Sequence, residues 1–123
     1  LERIHFLGRI PHPGLIALMQ ASWVHAYLSH PFILGWSLLE AMACGCCIVG
    51  TECMPVGEVI QNGIEGVLAP MNAPDRLAQL VQTLLKNASL RQRLSSAARR
   101  SALAWDQTIT LPRITAVLEG CSN

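Results

Sequence analysis

From Leu38 to Gly50 an apolar helical pattern, Leu38-Leu39-Glu40-Ala41-Met42-Ala43-Cys44-Gly45, runs directly into an apolar strand pattern, Cys46-Cys47-Ile48-Val49-Gly50. So short a junction lays the helix against the sheet that the strand joins. Helical spacing predicts Leu39, Met42 and Ala43 on the packed stripe, and the small Ala41, Ala43 and Gly45 let the helix lie close to the sheet. Glu40 is the one carboxylate on this helix and falls at the edge of a packed layer. There it must be hydrogen-bonded or face a cleft, because an unpaired buried charge is too costly to keep; bonding to a neighbouring backbone N–H is the purely structural alternative.

The rest of the chain alternates in the same way, with apolar strand-like runs and helical segments separated by Gly, Pro or Asn, which predicts a parallel α/β sheet. The expected strands are Ile4 to Leu7, ended by Gly8; Trp23 to Leu28, broken by Ser29-His30-Pro31; Cys47 to Gly50; and Val67 to Ala69. The expected helices between them are Pro13 to Ala21, with Leu15, Leu18 and Met19 inward, Gly35 to Ala43, and a short one opened by Pro55 and closed by Asn62-Gly63. After Ala69 the pattern is wholly helical. Asn72 is expected to cap a helix from Ala73 to Lys86 with Leu77, Leu80, Val81, Leu84 and Leu85 on one face. Ser89 and Gln92 fit a capping box for the next helix, and Thr108 to Leu118 forms the last, amphipathic one. Arg91, Arg93, Arg99 and Arg100 read most simply as a solvated face, with phosphate binding as the other reading.

At 123 residues the chain suits one domain that buries roughly two-thirds of its unfolded surface. It is 51% hydrophobic and 14% charged with net charge +1, so it offers no large basic face for nucleic acid and no acidic excess that predicts disorder. Its apolar runs stop well short of the ~20 residues of a membrane span, so no transmembrane segment is expected and the chain reads as soluble. Leu1 is not an initiator Met and no signal-peptide pattern follows it, so the chain reads as a piece of a longer protein.

Cys44, Cys46, Cys47, Cys53 and Cys121 contain no CxxC pair. Reduced thiols packed as small hydrophobes in a cytoplasmic protein are expected, rather than a zinc site completed by His25 or His30. Of His12, His25 and His30, only His30 adjoins the Glu40 segment in the sequence, and a lone histidine in a strand or loop is usually structural.

Several motifs in fixed order carry a family resemblance: Phe6-Leu7-Gly8-Arg9-Ile10-Pro11, then Leu18 to Ala21, then Leu34-Gly35 to Gly45, then Glu58 to Leu68. Together they resemble the C-terminal half of a GT-B glycosyltransferase, more narrowly the group-1 (family 4) retaining enzymes, over nearly the whole chain. The resemblance implies a Rossmann-like three-layer α/β domain with a parallel sheet and a helical C-terminal tail. Residues 1–123 would be a single donor-binding domain, with an N-terminal GT-B domain missing from the chain. It further implies hexosyl transfer from a nucleotide-diphosphate sugar with retention, no cofactor and no dedicated metal. The location would be cytoplasmic, with any peripheral membrane contact made by the missing domain.

In that family two glutamates eight positions apart flank a helix start, and the second binds the ribose hydroxyls, a role the resemblance gives to Glu40. A carboxylate suits a vicinal diol because it accepts two hydrogen bonds. The first glutamate is replaced by Phe32, which puts the usual sugar contact in doubt. The loop Phe32-Ile33-Leu34-Gly35 is also bulkier than the family's, yet main-chain N–H groups at Leu34, Gly35 and Trp36 still offer a diphosphate site at a helix start. Phe32 and Ile33 either contribute there or pack beneath the loop. Ser37 either supports Glu40 or bonds its own helix backbone. Gly8 and Arg9 fall near the nucleotide base by resemblance, Arg9 alternatively being a solvated cation. No residue of the chain is assigned a catalytic role: the family's diphosphate-binding Arg and Lys and its acceptor pocket belong to parts not in this sequence. The isolated chain is therefore expected to be inactive. A GT-B-like interaction module without donor binding is the competing reading, and a sugar-nucleotide epimerase a third.

Overall fold

Three short strands carry the fold: β1 (His25–Tyr27), β2 (Ile48–Thr51) and β3 (Gly66–Ala69), seen in a computed structural model that describes residues 3–120. They form one parallel sheet in the order β1-β2-β3, with His25 beside Ile48 and Ile48 beside Gly66. Their side chains alternate between two layers. On one side Ile48 joins Met19 of α1 (His12–Ala21), Leu38 and Met42 of α2 (Trp36–Ala43), and Val56 of α3 (Met54–Gly57), together with Ile60. On the other, Cys47 and Val49 meet Leu84 of α4 (Pro74–Lys86), flanked by Leu77, Leu80 and Val81. α5 (Ala88–Leu103) serves both layers, giving Ala98 and Ala102 to the first and Leu94 to the second. α6 (Gln107–Gly120) completes the helical tail and buries none of its residues among those described.

This is the expected α/β architecture, with several local corrections. Residues 4–7 form no strand, because a strand exists only through a neighbour's hydrogen bonds and β1 pairs with β2 alone; Phe6 is 91% exposed. The Trp23 to Leu28 run shortens to the residues that β2 can register. On α1, Leu18 is exposed, so Met19 alone is fully inward. On α2 the packed stripe is Leu38, Ala41 and Met42, one residue round from the expected set, which leaves Leu39 part-buried and Ala43 exposed. The larger Leu38 takes the deep position, and Ala41 lets α2 approach α5, as small residues at a contact allow.

The other corrections concern helix ends. The Pro55 helix stops at Gly57, because Val59 and Ile60 turn inward to be buried. Asn62-Gly63 instead forms the turn into β3: Gly63 has φ +82°, and the Leu68 N–H donates to Asn62 Oδ1 at 3.0 Å. Asn72 is not a cap but takes the left-handed conformation, φ 58°, immediately before Ala73 and the helix-opening Pro74. The α5 cap is Asn87, whose Oδ1 accepts from the Leu90 N–H at 3.0 Å and from the Ser89 hydroxyl at 2.9 Å, displacing the expected capping box. On α4, Leu85 is exposed. Two of the four arginines are not simply solvated: Arg91 donates to the Leu84 and Leu85 carbonyls, and Arg93 to that of Gly63. Cys44, Cys46, Cys47 and Cys53 are free thiols, whereas Cys121 lies outside the described residues.

Candidate functional site

Because α2 follows β1, it starts at the carboxyl end of the sheet, where ligands of open α/β sheets bind. Tyr27, the last residue of β1, sets the approach. Its phenol oxygen accepts the Gly35 N–H at 2.9 Å, and a Cβ on Gly35 would lie 2.9 Å from that same oxygen. Only glycine fits this contact without displacement. Gly35 is the N-cap of α2 and gives no side-chain cap, so among the described residues the N–H groups of Trp36 and Ser37 keep no protein acceptor. Gly35, one of the three expected main-chain donors, is already committed to Tyr27.

The bulky loop does not pack downward as one unit. Phe32 is 79% exposed, and Ile33 and Trp36 are exposed with it, whereas Leu34 packs against the core. The reading in which Phe32 and Ile33 lie beneath the loop is therefore corrected: one apolar anchor suffices, and it is Leu34.

Glu40 lies one turn into α2 with its side chain 34% exposed. Its partner is His12, whose Nε2 stands 2.7 Å from Glu40 Oε1. Ser37, half-buried beside Gly35, is not a hydrogen-bond partner of Glu40. The sequence separation of 28 residues hid the His12 contact, although Pro11-His12-Pro13 at a helix start marked a backbone restricted on both sides of this residue. Cys44, at the C-terminal end of the same helix, has its thiol pushed up by burial and by the Glu40 charge, with Arg99 acting in the opposite sense.

The other predicted residues fall elsewhere. Gly8 takes φ +62° with open space around it, and Arg9 is exposed and makes no ion pair among the described residues. His30 lines a separate cleft of about 360 Å³ with Ser29, Thr51, Asn72 and Leu77, at the strand ends on the α4 side of the sheet. His25 sits in β1, where burial pushes its imidazole down from the ordinary value. No group of three or more His, Cys, Asp or Glu side chains arranged to hold a metal ion occurs among the described residues. None of their helices is long and apolar enough to cross a membrane.

A parallel three-stranded sheet layered by helices and followed by a helical tail is the fold of a GT-B C-terminal domain. Residues 1–101 match the family model for glycosyl transferases group 1, and the chain belongs to that family. It is 31% identical to the phosphatidyl-myo-inositol mannosyltransferase of Mycobacterium leprae, over 97% of this chain and 32% of that protein. It is 30% identical to the N,N'-diacetylbacillosaminyl-diphospho-undecaprenol alpha-1,3-N-acetylgalactosaminyltransferase of Campylobacter jejuni, over 89% of this chain and 29% of that protein. Among solved structures it is similar to Anabaena HepE in complex with UDP, with 24% identity and a TM-score of 0.79 over 84% of this chain and 29% of that one. It is also similar to sucrose-phosphate synthase from Thermosynechococcus elongatus, with 23% identity and a TM-score of 0.82 over 98% of this chain and 31% of that one. The chain spans between 23% and 32% of the length of these and similar curated relatives.

Proposed function

We infer that this chain holds the nucleotide of a nucleoside-diphosphate sugar and serves as the donor-binding part of a retaining glycosyltransferase that moves a hexosyl group. The observation that carries this reading is Glu40, an accessible carboxylate fixed by His12 on the helix that opens at the carboxyl end of the sheet. It is suited to accept both hydroxyls of a ribose. The free N–H groups of Trp36 and Ser37 and the positive end of α2 favour the diphosphate, whose charge grows as the sugar leaves. Relatives named for mannosyl and N-acetylgalactosaminyl transfer, and HepE structures holding UDP and UDP-glucose, support the same class of donor.

In this reading the remaining cations for the diphosphate, and the acceptor pocket, come from an N-terminal GT-B domain of a longer protein. Residues 1–123 are then the single C-terminal domain, able to bind nucleotide and unable to transfer sugar alone. The chemistry calls for no cofactor and no dedicated metal, because main-chain N–H groups and cationic side chains do the neutralising. The location is cytoplasmic.

A second reading, a GT-B-like module that binds no donor, draws on two observations: Phe32 stands exposed where the family has its first glutamate, and Tyr27 occupies the Gly35 N–H. Calorimetric titration of the chain with UDP, GDP and ADP separates the two. Donor binding predicts saturable binding of one nucleotide that Glu40→Ala weakens by about 1 kcal/mol or more, the scale of a hydrogen bond to a charged group. No binding by the wild type favours the non-binding module, whereas equal binding by the wild type and Glu40→Ala removes Glu40 from the nucleotide contacts.

A further inference from the structure

We propose that His12 is a positioning residue for ribose recognition: it presets the Glu40 carboxylate so that a nucleotide's vicinal diol meets a fixed acceptor. This rests on the donor-binding reading above and adds to it a residue on a different helix. A glutamate that is one-third exposed has three rotatable bonds, and immobilising such a side chain on binding costs on the order of 1 kcal/mol or more. In this chain that ordering is done in advance. The imidazole stands at the first position of α1 between Pro11 and Pro13, whose rings fix φ on both sides, and α1 is held to the core by the buried Met19. From this base Nε2 donates to Oε1 at 2.7 Å, a hydrogen bond strengthened by the charge of the carboxylate.

The geometry leaves room for ligand. A carboxylate offers about four lone-pair sites, and His12 uses one on Oε1, so Oε2 and the second Oε1 lone pair stay open for two hydroxyls. Only an N–H at the Nε2 position is needed, whether the ring is neutral or charged. A glutamine amide nitrogen reaches about as far as Nε2, whereas an asparagine amide reaches only as far as Nδ1. His12→Gln is therefore the conservative replacement and His12→Asn the short one.

The test titrates wild type, His12→Ala, His12→Gln, His12→Asn and Glu40→Ala with UDP and with 2′,3′-dideoxy-UDP, after thermal melts establish that each variant is folded. His12→Ala and His12→Asn are expected to weaken UDP about 3- to 10-fold, the worth of one hydrogen bond, and His12→Gln to restore it to within about twofold. Binding of 2′,3′-dideoxy-UDP is expected to be the same in all the His12 variants, since it has no diol for Glu40 to receive. An equal loss for both nucleotides would make His12 a merely structural residue. Unchanged UDP binding in His12→Ala, with Glu40→Ala still impaired, overturns this inference alone. Wild-type binding that Glu40→Ala leaves intact overturns the ribose role of Glu40 and this inference with it, and no wild-type binding overturns the donor reading as a whole.

Discussion

Arg91 lies over the Trp23 indole, its guanidinium carbon 4.7 Å from the ring centroid, while Nη1 donates to the carbonyls of Leu84 and Leu85 at 2.6 and 2.8 Å. One side chain on α5 thereby bonds two carbonyls of the last turn of α4, that of Leu84 accepting the Asn87 N–H as well, and ties both helices to the segment leading into β1. A planar guanidinium makes this possible, because its face stacks while its edge donates.

Arg91→Ala is therefore expected to destabilise the chain by about 2 kcal/mol, the sum of a cation–π contact and hydrogen bonds to two carbonyls. Arg91→Lys should recover less than half of that, since an ammonium does not stack and bond at once. Urea unfolding of the three proteins reads this directly, and full recovery by lysine would show that charge alone matters at this position.

Tyr27 and Gly35 form a second coupled pair. A methyl group at Gly35 meets the phenol oxygen at 2.9 Å, so Gly35→Ala should cost about 1–3 kcal/mol, the range for overpacking a fitted contact. In a Tyr27→Phe background the obstructing oxygen is gone, and the same substitution should cost less than about 1 kcal/mol. A double-mutant cycle on unfolding free energies checks this, and additive effects would remove Tyr27 as the reason for glycine there. Tyr27→Phe also frees the Gly35 N–H, so under the donor-binding reading it should tighten UDP binding.

How much of this was legible in the sequence depends on the range of the contact. The helix-to-strand run from Leu38 to Gly50, the α/β alternation and the position of α4 follow from local periodicity and were readable. The α2 stripe was misplaced by one residue because Leu38, Leu39, Ala41, Met42 and Ala43 run nearly all round the helix and Ser37 and Glu40 alone mark its polar side weakly, so packing against α5, far along the chain, decides the rotation. The Ile4 to Leu7 run has the pattern of a strand but no neighbour to pair with among the described residues. For the candidate site, Glu40 and Gly35 stood out by motif, whereas the His12 contact joins positions 28 apart that no spacing rule links. Capping went wrong at Ser89 for a simpler reason: Asn87, two residues earlier, is an equally good cap and was taken first.

Gly66 in β3 is held by backbone rather than by a side chain. An added Cβ would meet the Ile48 carbonyl oxygen at 2.9 Å and the Ile48 Cβ at 3.2 Å, and neither can rotate away without breaking the β2–β3 ladder. Gly66→Ala should therefore cost about 2–3 kcal/mol, at the upper end of overpacking effects. Gly57→Ala, where no atom lies within 4 Å, should change stability by less than about 1 kcal/mol. Thermal and urea melts of the two variants make the comparison, and similar losses would show that strand packing is looser at Gly66 than the distances imply.

The buried thiols set the alkaline limit of stability. Burial pushes Cys46 and Cys47 from the ordinary 9.0 up to about 11, and the Cys46 thiol also donates to the Met19 carbonyl at 3.1 Å. Between these values the unfolded chain has released protons that the folded chain retains. The thiols' contribution is accordingly flat below pH 9 and falls as the pH rises from 9 towards 11, by up to about 1.4 kcal/mol per pH unit for each thiol. Cys46→Ala should remove up to one proton's share of that slope, whatever it does to stability at pH 7. The same protonation predicts that iodoacetamide at pH 8 leaves Cys46 and Cys47 unmodified in the native chain, which peptide mass spectrometry can follow. Rapid native labelling of either, or an unchanged alkaline slope in Cys46→Ala, would mean that these thiols are not held protonated by the core.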